Sequence, residues 1–206
     1  MEIYSTEEQQ VDAIKQFWKD YGNSILIGAI VGLGGLYAWN YYSDLKIAQT
    51  EAASQTFSNI SQNASDAAAI EAGVAEFAKV HDQSGYQSLL DLILAKAAVE
   101  AGELTKAEDA LKRVIAAKAG AGLDMIATLR LARVQAEQGQ LATALTTLEQ
   151  VTEDAFAAQR DELKGDFLAR QGEVDKAKAA YQAAMDKGGV AASPALKMKF
   201  DSLNQA

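Results

Sequence analysis

Residues 94–111 read LAKAAVEAGELTKAEDAL, a helical pattern interrupted by one Gly-x-Leu step. The pattern returns in residues 131–148, LARVQAEQGQLATALTTL, and in residues 165–181, GDFLARQGEVDKAKAAY. In each stretch a glycine can take the left-handed conformation that ends a helix, and we expect the Leu or Val two residues later to tuck into the hairpin. These glycines are spaced by 37 and 33 residues, at Gly102, Gly139 and Gly172. The sequence therefore predicts three consecutive helical hairpins.

This spacing resembles the tetratricopeptide repeat, a helix–turn–helix unit of about 34 residues. Small residues occupy one position of each first helix, and bulkier residues occupy one position of each second helix: Ala95, Ala132 and Gly165, then Leu111, Leu148 and Tyr181. Small residues that let two helices cross closely follow five positions after each glycine, at Ala107, Ala144 and Ala177. The repeat's tryptophan and terminal proline are missing, and the first interval carries about three extra residues around 119–122. A generic bundle of alanine-rich hairpins is the alternative.

Capping helices are expected on both sides of the hairpins, because one repeat cannot bury its own apolar face. Residues 45–60 and 66–81 form the expected N-terminal pair, since Ile70, Val74 and Phe77 recur at helical spacing. A last helix, which begins near Pro194, carries the apolar stripe Leu196, Phe200 and Leu203.

One segment departs from this pattern, because residues 21–43 contain no charged side chain. Its roughly 20 apolar and aromatic residues would form a helix about 30 Å long, the thickness of a bilayer's hydrocarbon core. Aromatic residues flank it on both sides, as is typical of membrane–water interfaces. A core helix of a soluble protein and a cleaved signal peptide are the alternatives. The predicted organisation is all-α: a short leader at 1–22, a single N-terminal transmembrane helix at 23–43 and a tetratricopeptide-like helical-hairpin solenoid at 44–206.

Basic residues near the span predict its orientation. Lys15 and Lys19 precede it, whereas only Lys46 follows it before a long gap, which favours a cytoplasmic N-terminus. In the leader, Ser5-x-x-Glu8 has the pattern of a capping box that begins a helix. We expect a short amphipathic helix there, with a continuation of the spanning helix as the alternative.

The span also contains small residues at helical spacing, Gly28, Gly32 and Gly35. Such residues let two membrane helices approach closely, which predicts a lateral contact with another spanning protein or with a second copy. The alternative is that these glycines have no partner, because glycine is common in membrane helices.

The composition excludes several classes of function. The chain has 206 residues, a formal net charge of −9, no cysteine and one histidine, His81. The acidic balance argues against a nucleic-acid partner, because clustered cations drive such binding. Thiolate chemistry and Cys-ligated metals are excluded, as are two-histidine metal motifs. We therefore expect no enzyme active site and no cofactor, and a structural or exposed role for His81.

A binding groove is the expected functional feature, because the first helices of successive hairpins line a concave surface. The repeat register assigns three residues of each hairpin to this groove: Leu92, Lys96 and Val99, then Leu129, Arg133 and Ala136, then Glu162, Asp166 and Ala169. Apolar and charged side chains together suit extended or helical polypeptide segments. The degenerate register leaves open that some of these residues pack against neighbouring helices.

Several segments together carry a resemblance to a known family. They are residues 1–4 (MEIY), residues 10–15 (QVDAIK), the glycine-rich span, residues 129–135 (LRLARVQ) and residues 194–199 (PALKMK). On these segments the whole chain resembles the YfgM-like family, the ancillary SecYEG translocon subunit of Gram-negative bacteria. The resemblance implies a single-pass inner-membrane protein with periplasmic repeats. It implies association with the Sec translocon and with a membrane-anchored, prolyl-isomerase-like periplasmic chaperone, and no catalytic residues.

Two functions follow from the resemblance. The first is an adaptor that hands newly exported polypeptides to periplasmic chaperones, with the nascent chain, the chaperone, the translocon and membrane lipid as partners. The alternative is a membrane-anchored regulator of envelope-stress signalling, whose cytoplasmic leader sequesters a response regulator.

Overall fold

The computed structural model describes residues 7–63 and 66–203, and within those ranges every regular element is an α-helix. The predicted all-α class is confirmed. In chain order the helices are α1 (Glu7–Ser61), α2 (Ala67–Val80), α3 (Ser84–Glu100), α4 (Leu104–Ala117), α5 (Ala121–Glu137), α6 (Leu141–Leu148), α7 (Asp154–Arg170), α8 (Val174–Asp186), α9 (Gly189–Ala192) and α10 (Ala195–Ser202). The chain divides into two compact units, Met1–Glu51 and Ala52–Ala206.

The first unit consists, in its described part, of α1 up to Glu51. Within the described residues, the stretch from Gln10 to Ser61 is one helix that is long and apolar enough to cross a membrane. Large apolar side chains along it are exposed, such as Ile30 at 70 % and Tyr37 at 77 %. A core helix of a soluble protein buries such side chains, so this helix does not have the burial of a core element. The boundaries of the span at 22/23 and 43/44 stay predictions.

The leader is continuous with the span from Glu7 onward, since α1 has no break up to Ser61. In its described part the leader therefore continues the spanning helix. This is the alternative given above, and the leader does not form a separate amphipathic helix there. No proline interrupts it, and a helix that has already formed extends at low cost. The predicted capping box begins at Ser5, outside the described residues.

The second unit contains the three predicted hairpins, α3–α4, α5–α6 and α7–α8. Each first helix ends in the same way. At Gly102, with φ of 77°, the N–H of Glu103 donates to the carbonyl of Ala98 at 2.8 Å, and the N–H of Gly102 donates to Val99 at 3.0 Å. Matching pairs of bonds occur at Gly139 and Gly172. This arrangement satisfies carbonyls that the helix end would otherwise leave unpaired and turns the chain into the second helix.

The residues after these glycines pack almost as expected. Leu104 and Leu141 lie against the apolar clusters of the first and second hairpins, whereas the shorter Val174 is 37 % exposed. Ala107, Ala144 and Ala177 are completely buried, as the close crossing of two helices requires.

The third hairpin shows why one small position is glycine. A Cβ atom on Gly165 would lie 2.4 Å from the ring of Tyr181, a distance that real contacts do not reach. The first two hairpins have the smaller pairs Ala95 with Leu111 and Ala132 with Leu148 at the same positions. In the third hairpin the missing Cβ of Gly165 therefore makes room for the larger Tyr181.

The predicted caps are present on both sides of the hairpins. The carboxylate of Asp66 caps α2 by accepting from the N–H groups of Ala68 and Ala69, both at 3.0 Å. The buried face of α2 and the end of α1 share one apolar cluster, with Ala53, Ile70, Val74 and Phe77 in its core. At the other end Leu196 of α10 is completely buried, and Phe200 and Leu203 pack beside it. The short α9 was not predicted.

His81 has a structural position. Its Nε2 lies 3.1 Å from the Thr56 hydroxyl, and its ring centroid lies 4.7 Å from that of Phe77. The histidine thus joins the end of α1 to α2.

Two buried carboxylates are paired with basic side chains. Asp91 on α3 accepts two hydrogen bonds from Arg113 on α4, at 2.9 and 2.6 Å. Asp161 on α7 accepts from Arg160 at 2.8 Å and from Lys187, just after α8, at 2.5 Å. Burial raises the pKa of the Asp161 carboxyl, but the hydrogen bonds from Arg160 and Lys187 outweigh it, so the pKa lies below its usual value.

We expect Gly165→Ala to lower the free energy of unfolding by about 1–3 kcal/mol, because the added methyl group overpacks the contact with Tyr181. In a Tyr181→Leu background the same change should cost much less, since the pair then matches those of the other hairpins. Thermal and urea unfolding followed by circular dichroism measures both. Gly85→Ala, at a helical glycine with open space around it, is the control and should be neutral or slightly stabilising. Equal costs in both backgrounds would contradict the prediction.

The lowered pKa of Asp161 predicts that its ion pairs contribute less to the free energy of unfolding as the pH falls. Its ion pairs contribute stability above the unfolded-state pKa of about 3.9, and this contribution is lost as the pH falls through the lower folded-state pKa. Asp161→Asn should therefore flatten the decline of unfolding free energy with acidification, as measured by urea titrations at successive pH values. Asp201→Asn removes the same charge from an exposed position of α10 and is the matched control. Identical slopes for Asp161→Asn and the unchanged protein would refute the assignment.

Candidate polypeptide-binding groove

The first helices of the three hairpins, α3, α5 and α7, border a series of open clefts. We call the first the α3–α5 cleft, a space of about 340 Å³. Its lining includes the apolar side chains of Ala95, Val99, Leu104, Leu111 and Val134. The charged residues Lys96, Arg130 and Arg133 also border it, and all three are exposed.

The second part of the surface, the α5–α7 cleft, consists of two adjoining spaces of about 600 and 520 Å³. Both are bordered by Leu163, Asp166 and Lys199. Arg133 borders these two spaces and the α3–α5 cleft as well. The clefts therefore adjoin at Arg133 and form one groove along the first helices of successive hairpins.

Most acidic side chains of this groove already have a basic partner in the chain. Glu100 lies 3.7 Å from the Nζ of Lys96. Glu137 accepts from Arg170 at 2.7 Å, and the same guanidinium donates to the carbonyl of Ala136 at 3.0 Å. The Ala136 carbonyl also accepts from the N–H of Gly139, so the guanidinium adds a second bond in the last turn of α5, where positive charge is favourable.

The α7 wall carries two acids that are held by the C-terminal segment. Lys199 of α10 donates to Glu162 and to Asp166, both at 2.8 Å, and the Ser193 hydroxyl donates to Glu162 at 2.8 Å. The Tyr181 hydroxyl donates to Asp166 at 2.8 Å. Burial lowers the pKa of the Lys199 ammonium, but its hydrogen bonds to Asp166 and Glu162 raise it by more, so the pKa lies above its usual value. Burial and the bond to Asp166 raise the pKa of Tyr181.

Comparison with known proteins agrees with this architecture. A family model described as "Tetratricopeptide repeat-like domain" matches residues 15–205. A protein of Escherichia coli (strain K12) named "Ancillary SecYEG translocon subunit" is 31 % identical over 99 % of this chain and 100 % of its own length. The chain belongs to the YfgM-like family.

Two further relatives with the same name come from Haemophilus influenzae and Aggregatibacter actinomycetemcomitans. Each is 32 % identical to this chain, over 96 % of it and 97 % of the relative. No solved structure matches. The family resemblance predicted from the leader, the span and the repeats is confirmed, and so is the tetratricopeptide-like fold.

Five of the nine predicted groove residues border the clefts: Lys96, Val99, Arg133, Glu162 and Asp166. Three others lie in the core, Leu92 at 8 % exposure, Leu129 at 2 % and Ala136 at 0 %. The physical reason is that each first helix has neighbours on two sides, so part of the face assigned to the groove packs against them. Ala169 is half-buried beside the C-terminal apolar cluster.

The sequence did not reveal the partners of the α7 acids. Lys199 and Ser193 lie more than 30 residues from Glu162 along the chain, and only the fold brings them together. Arg130 was also missed, although its place one turn before Arg133 on the same helix was a usable signal.

The predicted membrane-helix contact stays a prediction. Gly28, Gly32 and Gly35 follow at spacings that put them on one face of α1, and a Cβ atom on any of them would meet nothing within 4 Å. In the described part of the chain no group of three or more His, Cys, Asp or Glu residues is arranged to hold a metal ion.

We expect Lys199→Met to lower the free energy of unfolding by about 1–2 kcal/mol, because it leaves Glu162 and Asp166 without their shared cation while keeping an apolar side chain of similar length. The loss is limited because Lys199 is partly exposed, so solvent screens its ion pairs. Lys176→Met, which breaks an exposed pair with Glu173 at 3.2 Å, is the control and should cost no more than about 0.5 kcal/mol. Urea unfolding of both variants makes the comparison, and equal costs would mean that the α7 acids do not depend on Lys199.

Proposed function

We propose that this chain is a non-enzymatic, membrane-anchored adaptor that associates with the Sec translocon and holds polypeptide segments in its groove. The full-length relationship to proteins named ancillary SecYEG translocon subunits supports the association. The groove that passes Arg133 supports the binding role, because residues of all three hairpins border it and it combines apolar side chains with charged ones. This groove is the observation that carries the proposal.

The proposed orientation has the N-terminus in the cytoplasm and the repeats in the periplasm of the inner membrane. Two lysines, Lys15 and Lys19, lie close to the N-terminal end of the span, and one, Lys46, lies close to its C-terminal end. The flank of a membrane helix with more basic residues usually stays in the cytoplasm. Lipid would then cover the exposed apolar side chains of α1, whose exposure to water is unfavourable. The face with Gly28 and Gly32 would be free to approach another spanning helix.

In this arrangement the groove takes up either a segment of a membrane-anchored, prolyl-isomerase-like periplasmic chaperone or an emerging secreted polypeptide. A solenoid is suited to this role, since it presents an extended surface without needing a deep enclosed pocket. The adaptor would keep the chaperone close to newly exported chains and raise its effective concentration there.

Site-specific photocrosslinking in cells tests the proposal. A photoreactive residue in place of Gly32 should cross-link to a membrane-spanning translocon subunit, and one in place of Arg133 should cross-link to a periplasmic chaperone or a secreted chain. Cross-linked products are identified by mass spectrometry after affinity purification of the full-length protein.

A probe at Ala116 is the matched control, because it is exposed on α4 and borders neither the α3–α5 cleft nor the α5–α7 cleft. Cross-links from Arg133 to cytoplasmic proteins would reverse the proposed orientation. Absence of translocon subunits from the Gly32 products and from the purified complex would rule out the translocon association.

A further inference from the structure

Among the described residues around the α3–α5 cleft, basic side chains without an acidic partner outnumber acidic side chains without a basic partner. Glu100 and Glu137 border it, and they have partners in Lys96 and Arg170. Arg130 and Arg133 also border it, and within the described ranges 7–63 and 66–203 neither forms an ion pair with an acid. Two arginines without carboxylates thus flank an apolar space in a chain whose net charge is −9.

The space between these arginines suits an apolar side chain. Val99 and Val134 contribute to its lining, and Val99 is 44 % exposed although it is apolar. The volume of about 340 Å³ lies at the lower end of the range for ligand pockets, so it accommodates one or two large side chains rather than a folded domain. Burial of such a side chain removes apolar surface from water and therefore favours binding.

We propose that the α3–α5 cleft recognises an acidic amphipathic polypeptide segment. An apolar side chain of the segment fills the space beside Val99, and carboxylates next to it in sequence bind Arg130 and Arg133. This inference rests on the proposed function in that it specifies what the groove of the adaptor selects.

Charge complementarity favours an acidic segment over a basic one. A guanidinium can donate two parallel hydrogen bonds to one carboxylate, and such charge-assisted bonds are stronger than neutral ones. The acids of the neighbouring cleft attract a basic segment less than two unpaired carboxylates would, since Lys199 binds both Glu162 and Asp166 and offsets part of their charge. The free positive charge of the groove is therefore concentrated at Arg130 and Arg133.

The net negative charge of the chain opposes an acidic ligand only at a distance. At an ionic strength of about 0.1 M, interactions beyond about 10 Å are largely screened, whereas the direct contact with the two arginines is not. The attraction is thus local, and it should weaken as salt increases because the arginines are exposed.

Two fluorescent peptides test the inference with the full-length protein in lipid nanodiscs. Both carry Leu at helical spacing, and the flanking residues are Glu in one and Lys in the other. Fluorescence anisotropy at an ionic strength of about 0.1 M, where the net charge of the chain is largely screened, should give a dissociation constant at least about tenfold lower for the Glu peptide, since one or two charge-assisted hydrogen bonds are worth that much. The difference should shrink as salt is added.

Variants assign the binding to the cleft. Arg130→Glu together with Arg133→Glu should remove the preference or reverse it toward the Lys peptide, and Val99→Asp should weaken the Glu peptide. Lys164→Glu together with Lys197→Glu makes the same change of net charge at exposed positions of α7 and α10 that line none of these clefts, and it should keep the preference. Circular dichroism melting curves of all variants show whether each is folded.

The outcomes separate this inference from the proposed function. The inference is wrong if both peptides bind with equal affinity. It is also wrong if a folded variant with both arginines changed still prefers the Glu peptide. Either result counts even if translocon subunits co-purify with the protein. A preference for the Glu peptide that is lost in the double arginine variant supports the inference. If no translocon subunit co-purifies with the protein, only the proposed function is overturned. A third outcome is that neither peptide binds, the unchanged protein associates with itself, and the arginine changes abolish this association. The occupant of the cleft is then a second copy of the chain, and the inference is wrong.

Discussion

The close crossing of two helices within each hairpin is the contact on which the repeat domain depends. It requires a residue with almost no side chain where the helices meet, and Ala107, Ala144 and Ala177 are completely buried at those points. No hairpin can cover its own apolar face, so the three stack between α2 with the end of α1 on one side and α10 on the other. The groove exists because this stacking sets α3, α5 and α7 side by side.

A different constraint governs the first unit. Within the bilayer core no water is present to satisfy backbone N–H and C=O groups, and a helix satisfies them internally. The part of α1 that belongs to this unit, from Glu7 to Glu51, is helical without a break and meets that requirement. The apolar exterior of this helix, from Ile25 to Tyr42, matches a lipid environment for the same reason that it is unsuited to water.

Pairing of charges inside the chain decides which charges remain for a partner. Along the groove, Lys96, Arg170 and Lys199 are bound to acids of this chain. Arg130 and Arg133 have no such acid in the described part of the chain. An acidic protein can in this way present a locally basic site, and the local site rather than the net charge of −9 determines what binds there.

The sequence alone determined the all-α class, the three hairpins, the helix ends at Gly102, Gly139 and Gly172, and the apolar span, because these depend on spacing within about 40 residues. It also predicted Lys96, Val99 and Arg133 for the groove. It could not separate these from Leu129 and Ala136, because burial depends on which neighbouring helix covers each face. Only the tertiary structure decided which face is covered. Only it brought Lys199 to Glu162 and left Arg130 and Arg133 without an acidic partner among the described residues, since residues distant in sequence meet there through the stacking of the hairpins.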